Sequence, residues 1–449
     1  MTSIPGSITA PKGFRASGVF CDIKRLGTGK GSNKGNKRDL ALIVSDVPAT
    51  VAGMFTTNQV CAAPVKACVV RVRKGVAQAI IANSGNANAC TGVQGMKDAE
   101  AMALLVAHRF KLLPEHVLIA STGRIGVPMP MTQVERGVLL AVPLLGDSAE
   151  HAAHAAEAIL TSDTRAKQIA VEFLLDGKRV RIGGICKGAG MIQPGTSATG
   201  ARPAAIPLHA TMLCFLTTDA AIAAPALQAA LQEAVATSFN RITVDGDMST
   251  NDTVLVLANG LAENEPIRPT RVKKSAATSR RQLQNLDEFQ AALSYVCLEL
   301  AKMIVRDGEG VSRFVTVRVS GAKSFADADA AARAVANSSL VKTSWCGGDP
   351  NWGRILDALG YSSAQIVEEK IDVAYSLPGS RKLLYSLKRG QPSSVPFRAL
   401  CKITAEKEFD LHINLNLGRA SALLYAADLT ESYVDFNKGD VSDPASLGG

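Results

Sequence analysis

The sequence predicts a layered α+β fold, an α/β sandwich with mixed or antiparallel sheets. Three observations point there. Strand-like and helix-like stretches come in clumps rather than in strict βαβ alternation, which argues against a doubly wound sheet. The clearest hairpin, VEFLLDGKRVRIGGI (171–185), joins two apolar-rich runs through Asp176-Gly177, a pair suited to a type I′ turn. The chain has 449 residues, 47% of them hydrophobic, enough for a large core and more than one lobe.

Taken in order, DLALIVSD (39–46), ATVAGMFT (49–56), ACVVRVRK (67–74), AQAIIANSG (77–85) and HVLIAST (116–122) read as short strands. A helix interrupts them around 97–112, and another begins after Asp147 in SAEHAAHAAEAIL, whose alanines permit close packing. Pro225 suits the first turn of a helix reaching Phe239, with Leu227, Leu231 and Val235 on one face. ITVDGD and TVLVLANG read as strands. Asp287 opens a helix with Phe289, Leu293, Val296 and Leu300 at helical spacing, and RFVTVRVSG and DLHINLNLG alternate like half-buried strands.

Composition narrows the function. Net charge is +9, with much of the excess in 24–38 and 268–282. Both stretches are Gly- or Ser-rich and lack aromatics to stack bases, so they read as solvated loops, with no nucleic-acid partner expected. No apolar run approaches a membrane span, and the first residues carry no signal or transit pattern, so a cytoplasmic protein is expected. The nine cysteines form no CxxC and read as buried thiols. His151 and His154 sit three apart on a helix and read as a solvated face. DGDMSTND (245–252) lacks the sixth-position glycine and the closing glutamate of an EF-hand calcium loop. Neither a metal nor a bound cofactor is expected.

The familiar catalytic signatures are missing. GTGKGS has the wrong spacing for a phosphate loop, and no G-x-S-x-G or H-E-x-x-H occurs. What remains is a density of Gly, Asn and Thr in ANSGNANACTG, ASTGRIG, KGAGM, VDGDMSTNDT, RDGEG and GGDPNWGR. Such residues allow close backbone approach and offer amide and hydroxyl donors, and together they suggest a shared cleft.

These blocks carry a resemblance. STGRIGVPMP (121–130), KGAGM (187–191), ATMLCFLTTDAA (210–221), SFNRITVDGDMSTNDT (238–253), RDGEG (306–310) and DPNWGRILDALGYS (349–362) closely resemble ornithine acetyltransferase, also called glutamate N-acetyltransferase. PKGFRASG (11–18), FTTN…AAPV (55–65) and NSGNANACTG (83–92) fit too, in order over nearly the whole chain.

The resemblance implies a self-processing enzyme cut between Ala210 and Thr211 into chains 1–210 and 211–449, which form one intertwined catalytic unit. It implies a heterotetramer of two copies of each chain. Thr211 would be the nucleophile. A threonine hydroxyl needs a base, and an α-amino group with a pKa of about 7.7 to 8.0 can serve on the same residue once the preceding bond is cut. That removes the need for a catalytic histidine. The implied reaction moves acetyl from N-acetylornithine to glutamate through acetyl-Thr211, in arginine biosynthesis. Thr122 and Gly123 match the oxyanion-hole pair, and Lys187, Thr161, Glu309, Asn437 and Ser442, with Thr211, match substrate contacts. Acetyl-CoA is left open as a second acetyl donor.

The chain departs from the family pattern just before the cut. GTSATGARPAAIP (195–207) is an insertion of about thirteen residues, expected to be a flexible loop, and Leu208-His209 replaces the usual Asn-Met. Two other readings stay open: a related N-terminal-threonine amidohydrolase or aminopeptidase, and an unprocessed protein that only binds amino acids.

Overall fold

The computed structural model describes residues 1–24, 37–200, 212–269 and 277–438. Ala210, Thr211, Ser442, most of the first basic run (25–36) and part of the second (270–276) lie outside the described residues.

The larger sheet contains β1 (Thr2–Ser3), β2 (Phe14–Val19), β3 (Leu40–Thr56), β4 (Val76–Asn86), β5 (Val117–Arg124), β6 (Lys167–Leu175), β7 (Lys178–Lys187), β8 (Thr196–Ser197), β9 (Leu213–Thr218) and β11 (Thr253–Ala258). The order is β1-β6-β7-β9-β11-β3-β4-β5, with β2 and β8 also paired to β3. β4 and β5 run parallel, as do β9 and β11, whereas β7 and β9 run antiparallel. The sheet is mixed, as the sequence predicts.

Its shape is decided by β3. The two expected strands 39–46 and 49–56 form one 17-residue strand whose register against β4 shifts between Val44 and Ala49. The first half pairs with β2 and most of β4, the second with β11 and β8. In a flat sheet the five strand steps from β7 to β5 would span about 24 Å, at about 4.8 Å each. Instead Lys187 Nζ, at the end of β7, lies 3.3 Å from Thr122 Oγ1, near the end of β5. The sheet therefore folds over, and its halves face each other.

Side-chain alternation fills both sides of the second half. Ile185, Leu213, Phe215, Leu255 and Leu257 point into one core with Ile43, Ile80, Ile81 and Leu118. Cys214, Leu216, Val254 and Val256 point into another, beneath two helices described below. β9 and β11, which follow position 211, lie between β7 and β3, which precede it, so the two stretches of chain share one hydrogen-bonded sheet.

Helices cover the outside. α1 (Ala63–Val72), α2 (Gly92–Phe110) and α3 (Met131–Ala141) pack on the β2–β5 half, and α4 (Ala149–Ala158) crosses β2. α5 (Ala224–Ala236) and α6 (Ala277–Arg306) cover the other half, where Leu227, Leu231, Val235, Phe289, Leu293, Val296 and Leu300 are buried. The second sheet joins β10 (Ile242–Thr243), β12 (Phe314–Ala322), β13 (Asp372–Ser376), β14 (Leu384–Lys388), β15 (Gln391–Pro392), β16 (Glu408–Asn414) and β17 (Ala420–Ala427). α7 (Phe325–Asn337), α8 (Ser339–Cys346), α9 (Trp352–Gly360) and α10 (Phe397–Thr404) pack with it around a third core. α11 (Glu431–Asn437) ends the described chain.

Four local expectations change. Residues 67–74 lie mostly in α1: Pro64 sits in its first turn, and the buried residues Val65, Cys68, Arg71 and Val72 fall at helical spacing. α6 starts at Ala277 rather than Asp287, because its added turns rest on the β6–β7 turn, where Arg281 and Asn285 both bond Asp176. ITVDGD supplies only Ile242–Thr243 as strand; from Val244 the backbone turns to bond Ile192 instead. The described start of the insertion is ordered: Thr196–Ser197 pairs with Phe55–Thr56, and Asn240 accepts the Thr196 N–H at 3.1 Å. The type I′ turn is as expected, with Asp176 at φ 51° and Gly177 at φ 74°.

Leu255 fills the core between the sheet halves. Leu255→Ala is expected to lower unfolding free energy by about 2–5 kcal/mol, as buried leucine truncations do. Urea denaturation measures it, and a loss under about 0.5 kcal/mol would mean the halves do not pack there.

Candidate active site

The site is built from the strand ends that the fold-over brings together. Thr122 and Gly123 stand at the end of β5, paired with Ser84 and Gly85 of β4. Gly123 has φ 131°, and a Cβ there would collide with the Gly85 backbone, so only glycine lets β4 and β5 approach this closely. An asparagine lattice holds this end in shape. Asn83 accepts from the Ser121 hydroxyl at 2.6 Å, Asn86 Nδ2 donates to the Val127 and Pro128 carbonyls, and Asn88 Nδ2 donates to Gly95 O.

Lys187 projects from β7 into the same space and is 2% exposed. Burial pulls its ammonium below the ordinary lysine value, and Asp163 opposes the shift. One Asp163 oxygen lies 4.0 Å from Lys187 Nζ. Asp163 is the hub of the polar cluster. It accepts from Lys167 Nζ at 2.6 Å, Gly188 N at 2.7 Å and Thr161 N at 3.1 Å. Burial alone would raise its carboxyl, but Lys187, Lys167 and the Gly188 N–H outweigh burial and hold it at about 2. Lys167 also bonds Asp307, two residues before Glu309.

Glu309 and Asn437 meet directly: Asn437 Nδ2 donates to Glu309 Oε2 at 2.9 Å. The Glu309 N–H donates to Ala189 O at 2.9 Å, and its carboxyl lies where a side chain on Gly190 would stand. The KGAGM loop therefore packs against RDGEG because it lacks bulk. α11 is fastened over this corner: Thr430 donates to Gly310 O at 2.6 Å and Tyr433 OH to Asp245 at 3.3 Å.

On the opposite side, Leu213 is the register partner of Lys187, and the Met212 N–H donates to the Asp252 carboxyl. Met212 is the residue that follows Thr211 in sequence. Lys187 thus meets Thr122 directly and Thr161 through Asp163, while Glu309 and Asn437 meet each other beside the KGAGM loop. Ala210, Thr211 and Ser442 fall outside the described residues.

Asp163, Lys167 and Asp307 went unread in the sequence. Asp163 sits in the LTSDTRAK block, two residues from Thr161, and its partner Lys167 is four further on. That spacing is the one local signal. Among the described residues no group of three or more His, Cys, Asp or Glu could hold a metal. Asp245 takes the Met191 and Ile192 N–H groups instead, and His151 and His154 face Ser148 and Glu150. No helix among them is long and apolar enough to cross a membrane.

The depressed Asp163 carboxyl fixes an acid dependence. Its folded value, about 2, lies below the unfolded value of about 3.9. The stability it contributes is complete above the unfolded value and is lost as pH falls through the folded one. Urea midpoints are expected to fall from about pH 4 toward pH 2 in the wild type, and to fall less steeply in Asp163→Asn; equal slopes would mean the cluster carries no such charge.

Comparison with known proteins shows the family. The ArgJ family profile matches residues 16–439. The arginine biosynthesis bifunctional protein ArgJ of Symbiobacterium thermophilum is 45% identical over 437 residues, covering 97% of this chain and 99% of that protein. Glutamate N-acetyltransferase of Methanocaldococcus jannaschii is 42% identical over 442 residues, covering 97% and 99%. A chain of crystalline ornithine acetyltransferase complexed with ornithine, from Mycobacterium tuberculosis, is 36% identical and covers 44% of this chain and 100% of its own, with a TM-score of 0.40. The chain belongs to the ArgJ family.

Proposed function

We propose that this protein transfers acetyl from N-acetylornithine to glutamate through an acetyl ester on Thr211, after cutting its own chain between Ala210 and Thr211. The observation that carries the proposal is the buried meeting of Lys187 and Thr122, 3.3 Å apart, beside the strand that begins two residues after Thr211.

In this reading Thr211 Oγ attacks the acetyl carbonyl and its proton passes to the Thr211 α-amine. The Thr122 hydroxyl and Gly123 N–H receive the oxyanion. Collapse returns the proton to the departing ornithine amine and leaves acetyl-Thr211. The glutamate amine then repeats the sequence in reverse. Both amino acids carry an α-carboxylate. Lys187 has three N–H donors, and Thr122 and Asp163 occupy only part of that capacity, so its charge is available to the carboxylate. Thr161 belongs to the same corner through Asp163. Glu309, with Asn437 and Ser442, would receive the substrate's ammonium end.

The shared sheet supports two fragments, 1–210 and 211–449, that stay together after the cut, because β9 and β11 remain bonded to β7 and β3. Assembly of two such pairs belongs to the same proposal. The similar proteins differ in name, one bifunctional and one glutamate N-acetyltransferase, which makes acetyl-CoA the second donor to assay.

Labelled acetyl is expected to pass from N-acetylornithine to glutamate faster than to water. Release of acetate alone would favour an amidohydrolase, and tight binding without either reaction a binding protein. Thr211→Ala is expected to give an uncut, inactive chain on a denaturing gel. Thr122→Ala should lower kcat by about 10²–10³, the usual loss for one oxyanion donor. Lys187→Met should raise KM by about 10- to 100-fold, the range for one charge-assisted bond.

A further inference from the structure

We propose that Asn251 and Asp252 are positioning residues that set the spacing between the oxyanion-hole pair and the start of β9, which follows the proposed nucleophile in sequence. The proposal rests on the acetyl-transfer reading above and adds two residues that reading does not use. Consecutive residues of an extended segment point opposite ways, so one dipeptide can reach both halves of the folded sheet.

Asn251 takes one side. It is 2% exposed, and its Nδ2 donates to Ala87 O at 2.7 Å and Ser121 O at 2.8 Å. Ser121 immediately precedes Thr122, and Ala87 follows the end of β4. Both donors of the amide are therefore spent on the two strand ends that shape the oxyanion pair. Its Oδ1 accepts from the Thr250 hydroxyl, and its N–H is held by Ser249 Oγ at 2.9 Å. The side chain cannot turn away without leaving buried carbonyls unpaired.

Asp252 takes the other side and is fully buried. One carboxyl oxygen accepts the Met212 N–H, and Thr253 N–H donates to Met212 O at 3.0 Å. Its own carbonyl accepts from Thr56 N at 2.8 Å. The Met212 N–H and C=O, just before β9, are thus both held by the Asp252–Thr253 segment. The second carboxyl oxygen is buried and meets no hydrogen-bond partner among the described residues. Burial pushes this carboxyl well above the usual carboxylate range, against the Met212 N–H and the Lys187 charge. An asparagine is therefore close in both shape and charge.

The spacing matters because a misplacement of about 1 Å in a reacting group can cost about 10²-fold in rate. The test is steady-state acetyl transfer and thermal unfolding of the purified processed protein and of Asn251→Ala, Asp252→Ala, Asp252→Asn, Thr122→Ala and the double variant Asn251→Ala/Thr122→Ala. Asn251→Ala is expected to lower kcat by about 10²-fold with little change in KM. Its effect should largely vanish in the Thr122→Ala background, since it acts through that donor. Asp252→Ala should slow the reaction comparably, and Asp252→Asn should recover most of the loss.

Full independence of the Asn251 and Thr122 effects, or wild-type kcat in Asn251→Ala, would overturn the proposal. Should Asn251→Ala fail to fold, the Asp252 pair decides: recovery by Asp252→Asn supports it, and equal rates in both Asp252 variants refute it. A wild type that moves no acetyl would instead sink the functional reading, a result distinct from either.

Discussion

A lysine side chain is buried against a threonine hydroxyl that the strand order alone would place five strands away. The fold-over of the sheet makes that contact, and the register shift of β3 against β4 falls between its two halves. One strand thereby serves both halves of the sheet, and ends of β5, β7, β9 and β11 converge. Without the bend, Lys187 and Thr122 would stand at separate edges, and the polar residues of the cleft would be surface loops.

Convergence places charge in a dry interior, which is costly unless every charge is answered. The Lys167–Asp163–Asp307 cluster does this. Asp163 gathers one ammonium directly, a second at longer range and two backbone N–H groups. It therefore stays ionised, and Lys187 keeps a counter-charge close by. The arrangement leaves a positive group facing the cleft with spare donors. An α-carboxylate is the matching ligand chemistry.

Much of the fold was legible in local pattern. The β6–β7 hairpin announced itself through Asp176-Gly177, and the apolar face of α5 through Leu227, Leu231 and Val235. α1 was hidden because its valines read as strand until Pro64 and the Cys68–Arg71 spacing are weighed. The site was legible in a different way. Thr122, Lys187 and Glu309 belong to short Gly-rich blocks whose order matches a family, and the structure gathers them. Asp307 was not legible, because its bond to Lys167 spans 140 residues and no local rule pairs them, and Asp163 showed only its four-residue spacing from Lys167. Asn251 and Asp252 stood in a block that composition flagged for its Gly, Asn and Thr and that the resemblance included, without either residue being singled out. The insertion was misread at its start because Thr196–Ser197 gains its order from β3, far away in sequence.

The central claim is that acetyl rests on the hydroxyl of an N-terminal Thr211 during turnover. Intact-mass analysis of the protein quenched in the presence of N-acetylornithine tests it most directly. One acetyl group is predicted on the fragment beginning at Thr211 and none on residues 1–210. An unbroken, fully active chain, or an acetyl group lodged elsewhere, would contradict the account.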